Sequence, residues 1–151
     1  MSLTVVAPIP GTTVAMEDVP DPVFSGKFVG PGVAVDPGQV ETITAKAPVD
    51  GTVAKIHPHA YVILSPTGRG VLVHLGLDTV QLAGQGFTVH VEEGQEVSSG
   101  DDMVTWSPQQ ITEGGRNPIV PVIVLEAEES DLSLPESGLS VNAGDELLSV
   151  K

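Results

Sequence analysis

The chain has 151 residues, 40% of them hydrophobic, which is enough to enclose one core without the help of disulfides. Aspartate and glutamate outnumber lysine and arginine by 20 to 6, and the net charge of −14 argues against binding to nucleic acids or to anionic membranes. The absence of cysteine excludes disulfide frameworks, thiolate catalysis and cysteine-ligated metal centres.

Short runs rich in valine, isoleucine and threonine follow one another along the chain, each bounded by glycine, proline, aspartate or serine. They predict strands at residues 4–6, 33–35, 41–44, 51–56, 61–65, 71–75, 87–91, 103–106, 120–125 and 147–150. The best helix signal is one turn at residues 107–111, and the acidic residues of 126–136 are expected in a solvated loop. We therefore expect one domain spanning residues 1–151, an all-β antiparallel β-sandwich or barrel-sandwich with short turns and at most one or two helical turns.

The first eleven residues contain neither the basic start of a secretory signal peptide nor a long apolar run. We therefore expect a cytoplasmic protein that does not insert into a membrane. Its acidic surface would suit a partner with a basic face.

Two short motifs recur along the chain and indicate a duplicated β plan. APIPGT at 7–12 returns as APVDGT at 47–52, and EGQEVSSGD at 93–101 is echoed by NAGD at 142–145. Such echoes resemble the barrel-sandwich of biotin and lipoyl carrier domains. However, a biotinyl lysine lies between methionines, whereas Lys46 is flanked by alanines. We interpret Lys46 as an ordinary surface residue.

Residues 57–76, HPHAYVILSPTGRGVLVHLG, predict a β-hairpin with histidines near both ends. A four-residue turn at 65–68, with proline second and glycine fourth, places His59 directly opposite His74. Cross-strand neighbours have Cβ atoms about 4.5–5.5 Å apart, so the two imidazoles would meet. A loop extended to Gly70 would shift this register. Alternation sends residues 71, 73 and 75 to one face, which packs the core, and residues 72, 74 and 76 to the other.

Two facing histidines suit phosphoryl transfer. Because an unperturbed imidazole is largely neutral near pH 7, one ring can offer a lone pair to phosphorus while the other donates a hydrogen bond. The attacking ring needs its second nitrogen protonated and held, usually by a backbone carbonyl. The turn at Gly76, just beyond His74, can supply that carbonyl.

The remaining histidines leave alternatives open. His90, inside the run VHV, is interpreted as structural, and so is His57, although its spacing places it on the same face as His59. A zinc site formed by His57, His59 and His74 is a minority hypothesis, because neighbours two residues apart diverge and no nearby carboxylate completes a metalloenzyme signature. Metal capture by His59 and His74, shared with a partner protein, is preferred to a permanent site.

The hairpin and its surroundings resemble the EIIA component of the glucose family in the bacterial phosphoenolpyruvate-dependent sugar phosphotransferase system. The resemblance rests on HAY at 59–61 and VHLGLDTV at 73–80, and it extends to the segments at 21–24, 29–35, 47–52 and 93–97. The joint occurrence of the two histidine motifs at this spacing is specific, and the likeness covers nearly the whole chain.

The resemblance implies a phosphocarrier that takes a phosphoryl group from the phosphohistidine of HPr and passes it to the EIIB domain of a sugar permease, without a cofactor. It implies that His74 carries the phosphoryl group on Nε2 and that His59 hydrogen-bonds the group and helps its departure. Gly76 matches the residue whose carbonyl orients the active ring, and Asp78 lies where it would meet an arginine of a partner.

The same resemblance implies an apolar rim for partner proteins, formed by Phe24, Val29, Leu72 and Val80. The chain also departs from the family. His57 and Pro58 stand where relatives often have a Thr-Asn pair, and Glu128 is the nearest match to an aspartate that the family places near the site. Relatives also bind and inhibit other transporters or kinases when unphosphorylated, so a regulatory binding protein is the alternative function.

Overall fold

The computed structural model describes residues 3–26 and 29–151, whose regular structure is mainly strand. The strands are β1 (Leu3–Val6), β2 (Gly11–Ala15), β3 (Gly32–Asp36), β4 (Ile43–Lys46), β5 (Gly51–His57), β6 (Ala60–Leu64), β7 (Gly70–His74), β8 (Thr88–Val89), β9 (Glu96–Val97), β10 (Asp102–Trp106), β11 (Val120–Val124), β12 (Leu132–Ser133), β13 (Ser140–Val141) and β14 (Glu146–Val150). The helices are α1 (Pro22–Ser25) and α2 (Pro108–Glu113), with 3-10 turns at Met16–Asp18, Thr79–Leu82 and Glu129–Asp131. The predicted all-β class is confirmed.

The described strands form three antiparallel sheets. Eight lie in one sheet in the order β13-β2-β3-β11-β7-β6-β5-β9, and the other two sheets have the orders β1-β14-β12 and β4-β10-β8. The large sheet turns one face toward the core, where alternate residues such as Val35, Tyr61 and Val73 are fully buried. Trp106 on β10 and Leu148 on β14 close the core from the smaller sheets. β1 and β14 pair directly, so the two ends of the described chain lie side by side.

The strand order of the large sheet is symmetric about the β11–β7 pair. The repeated APIPGT and APVDGT motifs take equivalent places in it, because Val6 N donates to Pro48 O and Lys46 N donates to Pro8 O, each at 2.9 Å. Equivalent bonds join the second pair of motifs to the first: Gly100 N to Ala47 O and Gly144 N to Ala7 O, both at 2.9 Å. The fold therefore contains the duplicated plan that the sequence indicates.

The two halves of the large sheet differ in one connection. Two residues, Pro58 and His59, join β5 to β6, whereas residues 16–31 join the corresponding strands β2 and β3. The described part of this longer segment packs on the outer face of the sheet, away from the main core. There it forms a second apolar cluster that contains Met16, Val19, Phe24, Ala34, Leu77, Ile119 and Ile123. This cluster brings α1 next to β7.

Most predicted strands agree with the fold, and the differences concern short elements. β4 lies two residues later than predicted, and β8 is reduced to two residues. The sequence does not predict β2 or the two-residue strands β9, β12 and β13. β2 was missed because it begins inside the APIPGT motif, which is typical of a turn. The acidic stretch 126–136 contains a 3-10 turn and β12 instead of being only a loop. No helix within 3–26 or 29–151 is long and apolar enough to cross a membrane.

Candidate functional site

The register of the β6–β7 hairpin differs by one residue from the predicted register. His74 pairs with Ala60, not with His59. The cause is the turn: Gly68 N donates to Ser65 O at 3.0 Å, as in a type I turn, but Ser65 N then donates to Arg69 O at 2.9 Å. Gly68 has a φ of +90° and so adds one left-handed residue, which makes the loop a three-residue one. The predicted direct pairing of His59 with His74 was therefore wrong.

The two imidazoles nevertheless meet. His57 on β5, Ala60 on β6 and His74 on β7 are paired in one row across the outer face of the sheet. His59 lies in the tight turn between His57 and Ala60, and its ring centroid is 5.2 Å from that of His74, with an interplanar angle of 70°. The His59 ring therefore reaches His74 from the hairpin turn and not, as was predicted, from a directly paired strand position.

The predicted alternation along β7 is confirmed. Val71, Val73 and Leu75 are fully buried in the main core. Leu72 and His74 are half-buried on the opposite face, where Leu72 packs against the second cluster. The face of β7 that carries His74 is therefore the outer one.

His74 is fixed by a backbone carbonyl. Its Nδ1 lies 2.5 Å from Gly76 O. Because a carbonyl oxygen only accepts hydrogen bonds, Nδ1 carries the proton and the neutral ring keeps its lone pair on Nε2. Gly76 has a φ of +85°, and a Cβ atom there would lie 2.8 Å from Thr79 Cγ2 and 3.2 Å from Asn117 O. Glycine is required at this turn for both reasons.

Burial sets the charge of both rings. It lowers the pKa of His74 below its usual value, and the bond to Gly76 and the carboxylates of Asp21 and Asp78 oppose this without reversing it. The pKa of His59 is lowered to about 4, mainly by burial and to a smaller extent by repulsion from His74 and His57 when those rings are protonated. Both rings are therefore neutral at pH 7.

Helix α1 places two further side chains beside His74. Phe24 is buried, and its ring lies against that of His74 at a centroid distance of 5.2 Å and an angle of 62°. Asp21 Oδ1 accepts a hydrogen bond from Val23 N at 2.9 Å, which caps the helix, and Pro22 follows at the first helical position. Asp21 is not among the predicted site residues. The Asp-Pro pair is a helix-start signal that could have placed it.

These features match a known family. A profile of the family described as phosphoenolpyruvate-dependent sugar phosphotransferase system, EIIA 1, matches residues 3–130. The chain belongs to this family. Glucose permease IIA from Mycoplasma capricolum is 33% identical in sequence and superposes with a TM-score of 0.90, over 100% of this chain and 97% of that one. This EIIA protein is therefore a phosphocarrier component of sugar uptake.

A second solved structure shares the fold alone. The M23 metalloprotease pseudoalterin from the deep sea superposes with a TM-score of 0.52 at 12% identity, over 94% of this chain and 75% of that one. At this identity the likeness carries no statement about chemistry.

The predicted rim residues of the EIIA protein differ in exposure. Val80 is 61% exposed in the 3-10 turn that follows Asp78, whereas Phe24 is buried against His74. Val29 and Leu72 are half-buried and pack on the second apolar cluster. Val23, which the sequence does not predict, is 49% exposed on α1. Val80 and Val23 thus present most of the accessible apolar surface among these positions.

Two residues considered from the sequence have contacts elsewhere. Glu128 begins the 3-10 turn at Glu129–Asp131 and forms a capping box with Asp131. His90 Nε2 lies 2.7 Å from Thr105 Oγ1 on β10, in the sheet of β4, β10 and β8. None of the hydrogen bonds found among the described residues connects either side chain to His59 or His74.

The three-histidine zinc hypothesis has no support in the arrangement of the rings. Within the part of the chain that the structure describes, no group of three or more histidine, aspartate or glutamate side chains is arranged to hold a metal ion. The rings of His57 and His59 are stacked face to face instead of converging on a common point.

An NMR titration of the unphosphorylated EIIA protein is expected to give a midpoint near pH 4 for His59 and a midpoint below 6.5 for His74. An unfolded histidine takes up its proton near pH 6.5, so the unfolded state binds more protons between about pH 6.5 and 4. The free energy of unfolding should therefore fall as the pH is lowered through this range. Ring Cε1–H resonances, assigned with a His59→Gln variant, report the midpoints. A His59 midpoint at or above 6.5 would contradict the burial argument.

Proposed function

We propose that this EIIA protein accepts a phosphoryl group from the phosphohistidine of HPr on Nε2 of His74 and passes it to the EIIB domain of a sugar permease. The observation that carries the proposal is the hydrogen bond from His74 Nδ1 to Gly76 O. Since the proton is held on Nδ1, the lone pair of Nε2 is available for attack on phosphorus. The lowered pKa of His74 keeps that lone pair free of a proton at neutral pH.

Each transfer step forms one bond to phosphorus and breaks another. In loading, the Nε2 lone pair of His74 forms a P–N bond while the P–N bond of HPr breaks and its electron pair returns to the HPr imidazole. In onward transfer, the bond to Nε2 breaks, its electron pair returns to His74, and the nucleophile of EIIB bonds to phosphorus. The imidazole is both nucleophile and carrier, so the transfer needs no cofactor.

His59 is proposed to donate a hydrogen bond to the phosphoryl oxygens. Its ring stands edge to face with His74 at 5.2 Å, close enough to reach a group carried on Nε2. A nearby phosphoryl group brings negative charge, which raises the pKa of His59 from about 4 toward neutrality. The loaded state would therefore favour a protonated His59, which stabilises the oxygens and assists departure of the group.

The surface around His74 supports a shared docking site for donor and acceptor. Asp21 and the exposed Asp78 supply negative charge, and Val23 and Val80 supply exposed apolar area. Carboxylates at this position suit basic groups on HPr and on EIIB, and both partners must reach the same nitrogen of His74. We assign this exchange to the cytoplasm, where phosphoenolpyruvate is formed, and treat residues 1–151 as one EIIA domain.

The proposal is tested by incubating the purified protein with phosphoenolpyruvate, enzyme I and HPr. Intact-mass analysis at neutral or alkaline pH is expected to show one acid-labile phosphoryl group, which is absent when HPr is left out. Addition of EIIB should then remove it. No gain of mass with an active cognate HPr would overturn the phosphocarrier proposal and leave the regulatory binding function.

A further inference from the structure

His57 stacks on His59 at the tip of the β5–β6 hairpin. The two ring centroids are 5.7 Å apart, and the ring planes are inclined by 28°. On its other side, His59 meets His74 at 5.2 Å and 70°. The His59 ring therefore lies between two other imidazoles, one in a stacked contact and one in an edge contact.

The strand register explains this arrangement. His57, Ala60 and His74 are directly paired across β5, β6 and β7, and their side chains share the outer face of the sheet. Adjacent strands are about 4.8 Å apart. The side chains of His57 and His74, which lie two strands apart, are therefore separated by roughly twice this distance. Ala60 in the middle is too small to fill the gap between them. The ring of His59, coming from the turn, occupies it.

The backbone of the tip has a support of its own. A Cβ atom on Gly84 would lie 3.1 Å from Pro58 Cγ, so the loop after the 3-10 turn Thr79–Leu82 packs closely on the proline. This contact restrains the main chain of the turn but does not set the side-chain torsions of His59. Those torsions are restrained by the rings of His57 and His74 on either side. Of these two rings, His74 must also remain accessible to partner proteins.

We propose that His57 is a positioning residue, whose stacked ring holds His59 in the orientation that contacts a phosphoryl group on His74. The inference rests on the proposed function, because it assigns His57 a role only through His59. A side chain in a half-buried turn retains several rotamers, and restricting them in advance lowers the entropy cost of reaching the transfer geometry. Aromatic pairs with ring centroids about 4.5–7 Å apart stabilise one orientation of the rings. The His57–His59 distance of 5.7 Å lies in this range.

The test compares His57→Ala, which removes the ring, with His57→Phe, which keeps a flat ring but no titrating nitrogen. His90→Ala is the matched control, because it removes a histidine that bonds to Thr105 in another sheet. The rate of transfer from phosphorylated EIIA to EIIB is expected to fall about five-fold in His57→Ala and to stay within about two-fold of the parent in His57→Phe. The control should be unchanged.

A second readout does not depend on phosphoryl transfer. In the unphosphorylated protein, His57→Ala should uncover one face of His59 and raise its NMR titration midpoint from about 4, while His57→Phe keeps that face covered and should raise it less. Equal transfer rates in His57→Ala and the parent would overturn the inference, and so would equally slow transfer in both variants. A parent protein that is never phosphorylated would instead contradict the proposed function, and the titration would still report whether His57 positions the ring.

Discussion

Replacing His74 with glutamine is expected to abolish phosphorylation of the protein by HPr. A glutamine amide is of similar reach and can still donate to Gly76 O, but it has no nucleophilic lone pair to replace the Nε2 of the imidazole. The loss should therefore be complete, with the fold retained. Intact-mass analysis after incubation with phosphoenolpyruvate, enzyme I and HPr measures it, and a circular dichroism melt compares the folds.

His59→Gln is the matched variant, and its expected failure is in a different step. Loading of His74 should still occur, because the nucleophile and its carbonyl partner are intact. Onward transfer to EIIB should slow by about 10²-fold, because a glutamine amide can donate a hydrogen bond but cannot take up the proton with which His59 assists departure of the group. A loaded intermediate that accumulates in this variant and is absent in His74→Gln would separate the two roles. Phosphorylation of His74→Gln to the parent's level would refute the assignment of the acceptor.

Gly76→Ala is expected to damage both stability and loading. Alanine at a φ of +85° costs about 1–2 kcal/mol, and a Cβ 2.8 Å from Thr79 Cγ2 adds about 1–3 kcal/mol of overpacking. Relief of that contact moves the carbonyl that holds His74 Nδ1. Loss of such an orienting partner typically costs about 10- to 100-fold, and we expect a fall of this size in the loading rate of the folded molecules.

Gly138→Ala isolates the backbone contribution, since Gly138 has a φ of +86° but a Cβ atom there would meet no described neighbour within 4 Å. It should lose only about 1–2 kcal/mol and should load at the parent rate. Urea unfolding gives the free energies, and quenched-flow mass analysis gives the loading rates. Equal behaviour of the two alanine variants would show that the space around Gly76 plays no part.

Alternation and turn chemistry account for what could be predicted of the site. The outward placement of His74 and the buried valines that precede it on β7 follow from period-two patterning, which burial enforces strongly. The register of the β6–β7 hairpin could not be predicted from this patterning, because it depends on the conformation of one residue, Gly68. A glycine in the left-handed region lengthens the loop by one residue, and the sequence SPTGR is compatible with both loops.

Contacts that depend on tertiary packing could not be predicted from the residue pattern alone. Phe24 reaches His74 only because the described part of the segment between β2 and β3 packs on the outer face of the sheet, and no local sequence signal specifies that packing. Two-residue strands such as β9 and β13 are likewise defined by their partners and not by propensity. The stacking of His57 on His59 followed from the register that the sequence left open.

The pairing of β1 with β14 has a consequence for how the protein folds. Leu3 pairs with Val150, so the sheet that closes one side of the core needs segments from opposite ends of the chain. Contacts of such sequence separation carry a high loop-closure entropy and slow the folding of β-rich proteins to milliseconds or seconds. During synthesis, β1 cannot pair until β14, which is made much later, has left the ribosome. We therefore expect this sheet to be completed late, with β1 unpaired until β14 is available.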